Sequence, residues 1–590
     1  MRPYLVVMLA CAGMAAACGD DDDEATAGGA RVPCEISALL EQHCARCHGA
    51  TPREGAPLSL LRSSDFTAQR NGRSVARSAI ARMRDPLRPM PPATEPKLPA
   101  SDRDALSDWL ERGAPADPDG CAVHTPAARD AGSTATGRDG GPVMRGEVER
   151  SDWPQFGGDL ASTRANLRDH AISLDNVGTL ARVWQLPTAS TSCTPVAHDG
   201  IAYVPTWGAK LHAVAITDGA ERWQVRLPAL VDSSAAVSAD RLFVSDARGS
   251  VHALARDDGE LLWSQRVDEH PEVHLWSSPI HIPDVELVVV GVASYEEIVG
   301  KTELSFRGSL VALDARDGHE RWRFYTTAAN DEEGAGVAIW STVAVDVERK
   351  VLYVGTGNNY QAPGSDLSDA LLAIDYVSGE RVWAHQFMAD DVFSILDAAG
   401  PDYDIGAAAN LFSAGGRDLV GVGIKSGLYA ALDREDGTVV WTTQVSPGGL
   451  FGGIISASAY ADGAIFVLSN DAASGEVAAA ALDAENGKPI WQRRLPGQTF
   501  SGVAYSNGLV FTGTLDGTLS ALDARSGEPL WSDRLPDAVA SPIVADGTLL
   551  VTWGYPVSLG TDATVDEAGM SNDPAVGAGG VVAYAPAPSE

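Results

Sequence analysis

The sequence predicts an all-β propeller of eight blades, preceded by a small all-α domain. Three observations carry this. From Asp152 onward one phrase recurs along the chain. Each copy ends on a tryptophan. The two ends of the region hold the separated halves of one further copy.

The phrase is an alternating strand ending near Ala-Leu-Asp, a glycine turn such as D-G or S-G, and a strand carrying Trp. It reads LHAVAITDGAERW, SVHALARDDGELLW, SLVALDARDGHERW, ALLAIDYVSGERVW, LYAALDREDGTVVW, VAAAALDAENGKPIW and TLSALDARSGEPLW. Its tryptophans are Trp223, Trp263, Trp322, Trp383, Trp441, Trp491 and Trp531. Trp184, in LARVWQLP, has no strand of its own before it, and Gly579 to Pro586, GGVVAYAP, has no Trp after it. Joining the two completes an eighth blade and closes the ring, which leaves no long exposed sheet edge. The repeated tryptophans are expected to dock between blades and so to be structural.

Other regions separate by composition. Residues 1–18 form a signal peptide: Arg2, an apolar stretch from Leu5 to Ala17, small residues at Ala15-Ala16-Ala17, then Cys18. This resembles a bacterial lipoprotein signal, with Cys18 lipidated. The expectation is a periplasmic or cell-surface protein that touches a membrane only through a lipid anchor. Residues 19–31 are an acidic tether, 32–121 the helical domain, 122–150 a flexible linker and 151–590 the propeller. The chain has 590 residues, with 44 Lys+Arg against 79 Asp+Glu, a net charge of −35. That balance argues against a nucleic-acid partner.

In the small domain, Val75 to Arg84 reads as a helix. A second starts at Ser101-x-x-Asp104, carries Ala105, Leu106, Trp109 and Leu110 on one face and stops at Gly113. Cys44-Ala45-Arg46-Cys47-His48 is C-x-x-C-H. Two thiols on one turn can add to the two vinyl groups of a haem while His48 ligates the iron. A zinc ribbon would need a second cysteine pair, which the sequence lacks. The domain is therefore expected to be a c-type cytochrome with one covalent haem c. Met90, in Arg88-Pro89-Met90-Pro91-Pro92, is the expected sixth iron ligand; Met83 sits mid-helix and reads as core. Cys34 and Cys121 bracket the domain and are expected to form a disulfide. Cys193 is left as a single buried thiol.

Asp152 to Asn166 reads D-W-P-x-F-G-x-D-x-x-x-T-R-x-N, and Gly355 to Tyr360 reads G-T-G-N-N-Y. With the C-x-x-C-H domain, these phrases resemble the PQQ-dependent quinohaemoprotein alcohol dehydrogenases, nearest the polyvinyl-alcohol type. The resemblance implies PQQ and Ca²⁺ in the propeller and an alcohol, favoured as secondary or polymeric, as substrate. It also implies electron transfer through the haem to an external acceptor, a cytochrome or respiratory chain. It makes Trp340 the stacking floor, Asn358 a Ca²⁺ ligand, and Lys425, in an apolar strand, the cation beside the quinone oxygens. The Ca²⁺ carboxylate stays open among Glu297, Glu296 and Glu303. The base is Asp402 or Asp404, with Asp402 also a Ca²⁺ neighbour. The adjacent-cysteine pair common in that family is missing. The rival expectation is a non-catalytic propeller scaffold, resembling the lipoprotein of the outer-membrane assembly machinery, joined to an electron-transfer cytochrome.

Overall fold

A computed structural model describes residues 151–328, 334–396, 400–449, 452–554 and 578–587, and scattered residues between 32 and 115. The chain divides into two compact units, Met1–Pro142 and Val143–Glu590.

The first unit contains helices Ser63–Thr67, Val75–Arg84 and Ala100–Glu111, with a short hairpin pairing Gln69–Arg70 and Arg73–Ser74. The last helix begins at Ala100, one residue ahead of Ser101. Its apolar face packs Leu106, Trp109 and Leu110 into a core with Phe66, Ile36 and Leu40. Trp109 meets Phe66 edge-on at 5.1 Å. Met83 packs partly buried against this core, as its helical register predicts.

The second unit is a ring of eight antiparallel blades. Blade 1 runs from Val196–His198 to Glu221–Arg226, blade 2 from Ala236–Val237 to Leu261–Arg266, and blade 3 from Ile280–Ile282 to Glu320–Tyr325. Blade 4 spans Ala344–Asp346 to Arg381–Gln386, blade 5 Asn410–Ala414 to Val439–Gln444, and blade 6 Ala459–Ala461 to Pro489–Pro496. Blade 7 spans Ala504–Ser506 to Pro529–Arg534. Blade 8 takes Val539–Ala545, Thr548–Trp553 and Ala578–Pro586 from the C-terminal end, and its outermost strand is Leu180–Ala189. Trp184 pairs with Ala583 in that last ladder. The ring closes through the two halves that the sequence leaves unpaired.

The repeated phrase now has a mechanical explanation. Each of the eight tryptophans donates its indole N–H to a backbone carbonyl of the next blade at 2.7–3.2 Å, from Trp184 to Ile216 round to Trp531 on Leu180. Seven of the rings lie against the glycine of the neighbouring blade's turn, such as Gly219 under Trp184 and Gly487 under Trp441. These turn glycines have φ of 69–76°, and a Cβ on any of them would come within 2.4–2.9 Å of the indole. The turn thus needs glycine for its backbone and again for the close approach of the ring.

The D-W-P…T-R-x-N segment runs around the inside of the ring. Trp153 exchanges hydrogen bonds with Ala197 of blade 1, and the carbonyl of Pro154 accepts from Val237 of blade 2. The carbonyls of Leu160, Ala161, Thr163 and Arg164 accept from Val345, Leu411, Tyr460 and Tyr505 of blades 4 to 7. Asn166 Nδ2 donates to Val544 O of blade 8 at 2.8 Å. Leu160 also packs against the apolar cluster containing Ile280 of blade 3 and Val343. The segment is a plug hydrogen-bonded to the innermost strands of seven blades. The chain leading into those strands lies nearer the other end of the channel and forms a cup.

Candidate cofactor site in the channel cup

Trp340 stands four residues ahead of the innermost strand of blade 4, and Gly406 holds the same position in blade 5. A Cβ on Gly406 would lie 1.7 Å from the Trp340 ring, so the glycine lets the backbone of blade 5 lie flat on the indole. The ring edge is fixed as well: Trp340 Nε1 donates to Asp404 Oδ2 at 3.2 Å.

Asp404 is clamped on both oxygens. Oδ1 accepts from the backbone N–H of Asn358 at 2.8 Å, and Lys425 Nζ lies 3.7 Å from Oδ2. The Asp404 carbonyl accepts from Lys425 N, which ties blade 5's lead-in to the Lys425 turn. Lys425 donates through Nζ to Asp402 Oδ1 at 2.5 Å. It lies in the turn just past strand Arg417–Gly423 and not within a strand, which corrects the sequence expectation. The turn lets a lysine reach inward from a blade whose strand side chains are committed to packing. Asp402 adopts φ 61°, a left-handed conformation unusual for a side-chain-bearing residue. Asp391 holds it there by accepting from the N–H groups of Asp402 and Tyr403 at 3.3 and 2.8 Å.

The electrostatics are lopsided. Asp369, Asp391, Asp402, Asp404 and Glu297 place five carboxyls around the single ammonium of Lys425. Burial, then the charge of Asp404, pushes the Asp402 carboxyl well above the usual range. Burial and the charges of Asp404 and Asp402 do the same to Glu297. Burial opposes the charge on Lys425, but Asp404 and Asp402 hold its ammonium above the ordinary range.

The three glutamates separate clearly. Glu297 is partly buried and feels Asp404 and Asp402. Glu296 is buried and spent on its own loop, accepting from Ser305 N, Phe306 N and the His270 ring. Glu303 is exposed. Cys193 is buried, and burial pushes its thiol up to about 12, as expected of an inert core thiol. Cys44 follows directly on a helical turn, its N–H donating to Leu40 O, and packs partly buried against the small core. Cys18, Cys34, Cys47, His48, Met90 and Cys121 lie outside the described residues.

Among the described residues no group of three or more His, Cys, Asp or Glu closes on a common point, so a cation here would also need an amide oxygen. Asn358 supplies one. Its Nδ2 donates to Asn359 O and Phe393 O, and its buried Oδ1 has no hydrogen-bond partner. An orphaned amide oxygen beside crowded carboxylates is a hard, all-oxygen donor set, which fits Ca²⁺.

Sequence reasoning missed a second aromatic wall. Trp276 occupies in blade 3 the position Trp340 occupies in blade 4, outside the docking register. His274 packs 4.4 Å from Trp276 and 4.5 Å from Tyr295, and its Nε2 lies 2.6 Å from Asp232 Oδ2. Comparing lead-ins blade by blade would have found Trp276. Asp369 and Asp391 carried no signal, since nothing local distinguishes them from turn aspartates.

Comparison with known proteins defines the class first. A family model described as "Outer membrane protein assembly factor BamB" matches residues 171–400, 368–501 and 473–566. The match takes in well over half of the chain, and the chain belongs to this propeller family. Among individual proteins, it is 32% identical over 350 residues to a polyvinylalcohol dehydrogenase of Sphingopyxis sp. (strain 113P3), covering 51% of this chain and 53% of that protein. It is 26% identical to a polyvinylalcohol dehydrogenase of Pseudomonas sp., covering 64% and 67%. The resemblance drawn from the sequence motifs stands. The chain spans about half to two thirds of the length of these relatives. The crystal structure of quinohemoprotein alcohol dehydrogenase from Comamonas testosteroni has the same fold, with TM-score 0.59 at 19% identity, covering 75% of this chain and 82% of that one.

Proposed function

We propose that the propeller binds PQQ and Ca²⁺ in its cup and oxidises an alcohol, favoured as secondary or polymeric. Electrons then leave through a haem c on Cys44 and Cys47, ligated by His48 and Met90, to an external acceptor. The observation that carries this reading is the linkage of Trp340, Asp404, Lys425 and Asp402 to one another and to the Asn358 backbone, with Glu297 within their electrostatic reach and the Asn358 amide oxygen left buried without a partner. Polyvinylalcohol dehydrogenases among its relatives support the substrate class. Export with a lipid anchor on Cys18 and a Cys34–Cys121 disulfide belong to the same proposal, and both suit a haem protein working in an oxidising compartment.

When bound, PQQ supplies a two-electron acceptor and Ca²⁺ a Lewis acid. The chain's own groups do the rest. Trp340, held by Gly406 and Asp404, provides a rigid aromatic face. Asn358 Oδ1, with Asp404 and Glu297, would hold the cation. Asp404, with both oxygens engaged, serves as a fixed anion. Asp402 is the better base: Lys425 takes Oδ1, leaving Oδ2 to receive the hydroxyl proton, and burial raises its affinity for one. Lys425, held between Asp402 and Asp404, would supply the positive charge that stabilises negative charge developing on the bound quinone.

The family match favours one other reading, a non-catalytic assembly scaffold. That reading leaves the crowded carboxyls and the Asn358 oxygen without a purpose. Reconstitution of purified protein with PQQ and Ca²⁺ separates the two. The expected result is PQQ binding, followed by alcohol-dependent reduction of the haem. Protein that takes up no PQQ overturns the enzyme reading.

A further inference from the structure

Two loops meet at the mouth of the cup and expose large aliphatic side chains. Ile298 and Val299 are 46% and 44% exposed, Ile395 and Leu396 56% and 59%. The loops touch: a carbon placed on Gly300 would meet Ile395 Cγ2 at 3.8 Å and Leu396 Cδ2 at 3.9 Å. Elsewhere, exposed apolar residues such as Val382, Ile490 and Leu530 sit on outermost strands. Scattered apolar exposure of that kind is ordinary, whereas a contiguous patch beside a polar cup calls for an occupant.

The patch is continuous with the catalytic cluster. Ile395 N donates to Glu297 O at 3.0 Å, and Phe393 O accepts from Asn358 Nδ2 at 2.9 Å. Asp391, four residues before Ile395, holds the backbone of Asp402 and Tyr403. One short segment therefore braces the cation donors and the base, and its tip lies open at the rim. Solvent-facing isoleucine and leucine contribute nothing to that bracing.

We propose that this rim is the subsite for the hydrocarbon chain of the alcohol, so that the protein selects long-chain or polymeric alcohols over short ones. This rests on the enzyme reading above. A hydroxyl presented to Asp402 places the neighbouring carbons at the mouth. Each methylene covered by the rim should raise kcat/KM about two- to fourfold, the scale of partial to full burial of one CH₂.

The test is a series from 2-propanol to 2-octanol, with a vinyl-alcohol oligomer, on the full chain loaded with PQQ, Ca²⁺ and haem. An artificial dye serves as acceptor. The wild type is expected to show log kcat/KM climbing with chain length. An Ile395→Ser/Leu396→Ser variant should lose at least half of that slope, with the change in KM and not in kcat. Ile298→Ser/Val299→Ser, on the partner loop, gives an independent reading if the first pair folds poorly, and thermal denaturation checks both. A flat wild-type series, or a slope unchanged in both variants, overturns the subsite while leaving the enzyme reading intact. Variants that keep the slope but lose rate only with a protein acceptor also overturn it, because the rim would then be a docking face. No turnover of any alcohol by PQQ-loaded wild type overturns the enzyme reading itself.

Discussion

The two ends of one channel use polar groups in opposite ways. At the plug, backbone carbonyls are bonded to the innermost strands, and a fully buried arginine is satisfied without an acid. Arg164 donates to Val503 O and Phe156 O at 2.6 and 2.7 Å and reaches Thr194 Oγ1 and Pro542 O at 3.5 Å. It also lies over the rings of Trp153 and Phe156. Burial lowers its proton affinity, to about 9, so it is still charged at neutral pH. At the cup, carboxyls crowd together, Asn358 Oδ1 has no partner and neither has either oxygen of Asp369. The same ring positions that secure the fold at one end leave polar groups waiting at the other. Satisfied burial marks structure, and unsatisfied burial marks a place prepared for something else.

The largest effect is expected at Arg164. Replacing it with Met strands three carbonyls in the channel and removes the side-chain contacts from Arg164 to Thr194, Val503 and Pro542, leaving the plug's backbone bonds to blades 1 and 7 and the Asn166 bond to blade 8 in place. The expected cost is about 3–5 kcal/mol, read as a large fall in denaturation midpoint. If the protein still folds, its PQQ affinity should be close to wild type, because the plug does not build the cup. The next largest effect is expected at Gly406→Ala. Its methyl collides with Trp340, so PQQ affinity by fluorescence titration should drop more than about tenfold while stability shifts little. Loss of stability without loss of affinity would place Trp340 with the packing tryptophans. Asn358→Ala should weaken Ca²⁺ at least about tenfold without unfolding the ring; unchanged affinity would remove the amide from the donor set.

Periodicity explains how much of this could be read beforehand. Ring closure through Trp184 and the C-terminal strand was legible because every blade repeats the same constraint of Trp, glycine and carbonyl. Trp340 stood out by breaking that register. What stayed hidden depends on distance across blades. Nothing in the local sequence says that Glu296 is used up by its own loop while Glu297 faces Asp404. The left-handed turn at Asp402, set by Asp391, is equally invisible. Lys425 read as a strand residue because Val422 and Ile424 precede it, whereas the strand ends at Gly423 and the chain turns at Lys425-Ser426. The plug was legible as a motif and not as a contact set, since its partners are spread over seven blades.

Asp369 gives the smallest and finest test of the contrast. It is fully buried in the turn immediately before the third strand of blade 4. Burial, followed by the charges of Asp404, Asp391 and Asp402, raises its carboxyl to about 10. In the unfolded chain it would titrate near 4. The folded protein therefore keeps a proton that the unfolded chain releases across that window, and stability falls as pH rises from about 4 toward 10. Asp369→Asn has nearly the shape of the protonated acid and nothing to release. Without added Ca²⁺, its Tm should match wild type near pH 5 and exceed it by about 1–3 °C at pH 8. A variant less stable than wild type at pH 8 would mean that Asp369 is ionised in the folded protein, one more anion in the cup instead of a neutral acid beneath it.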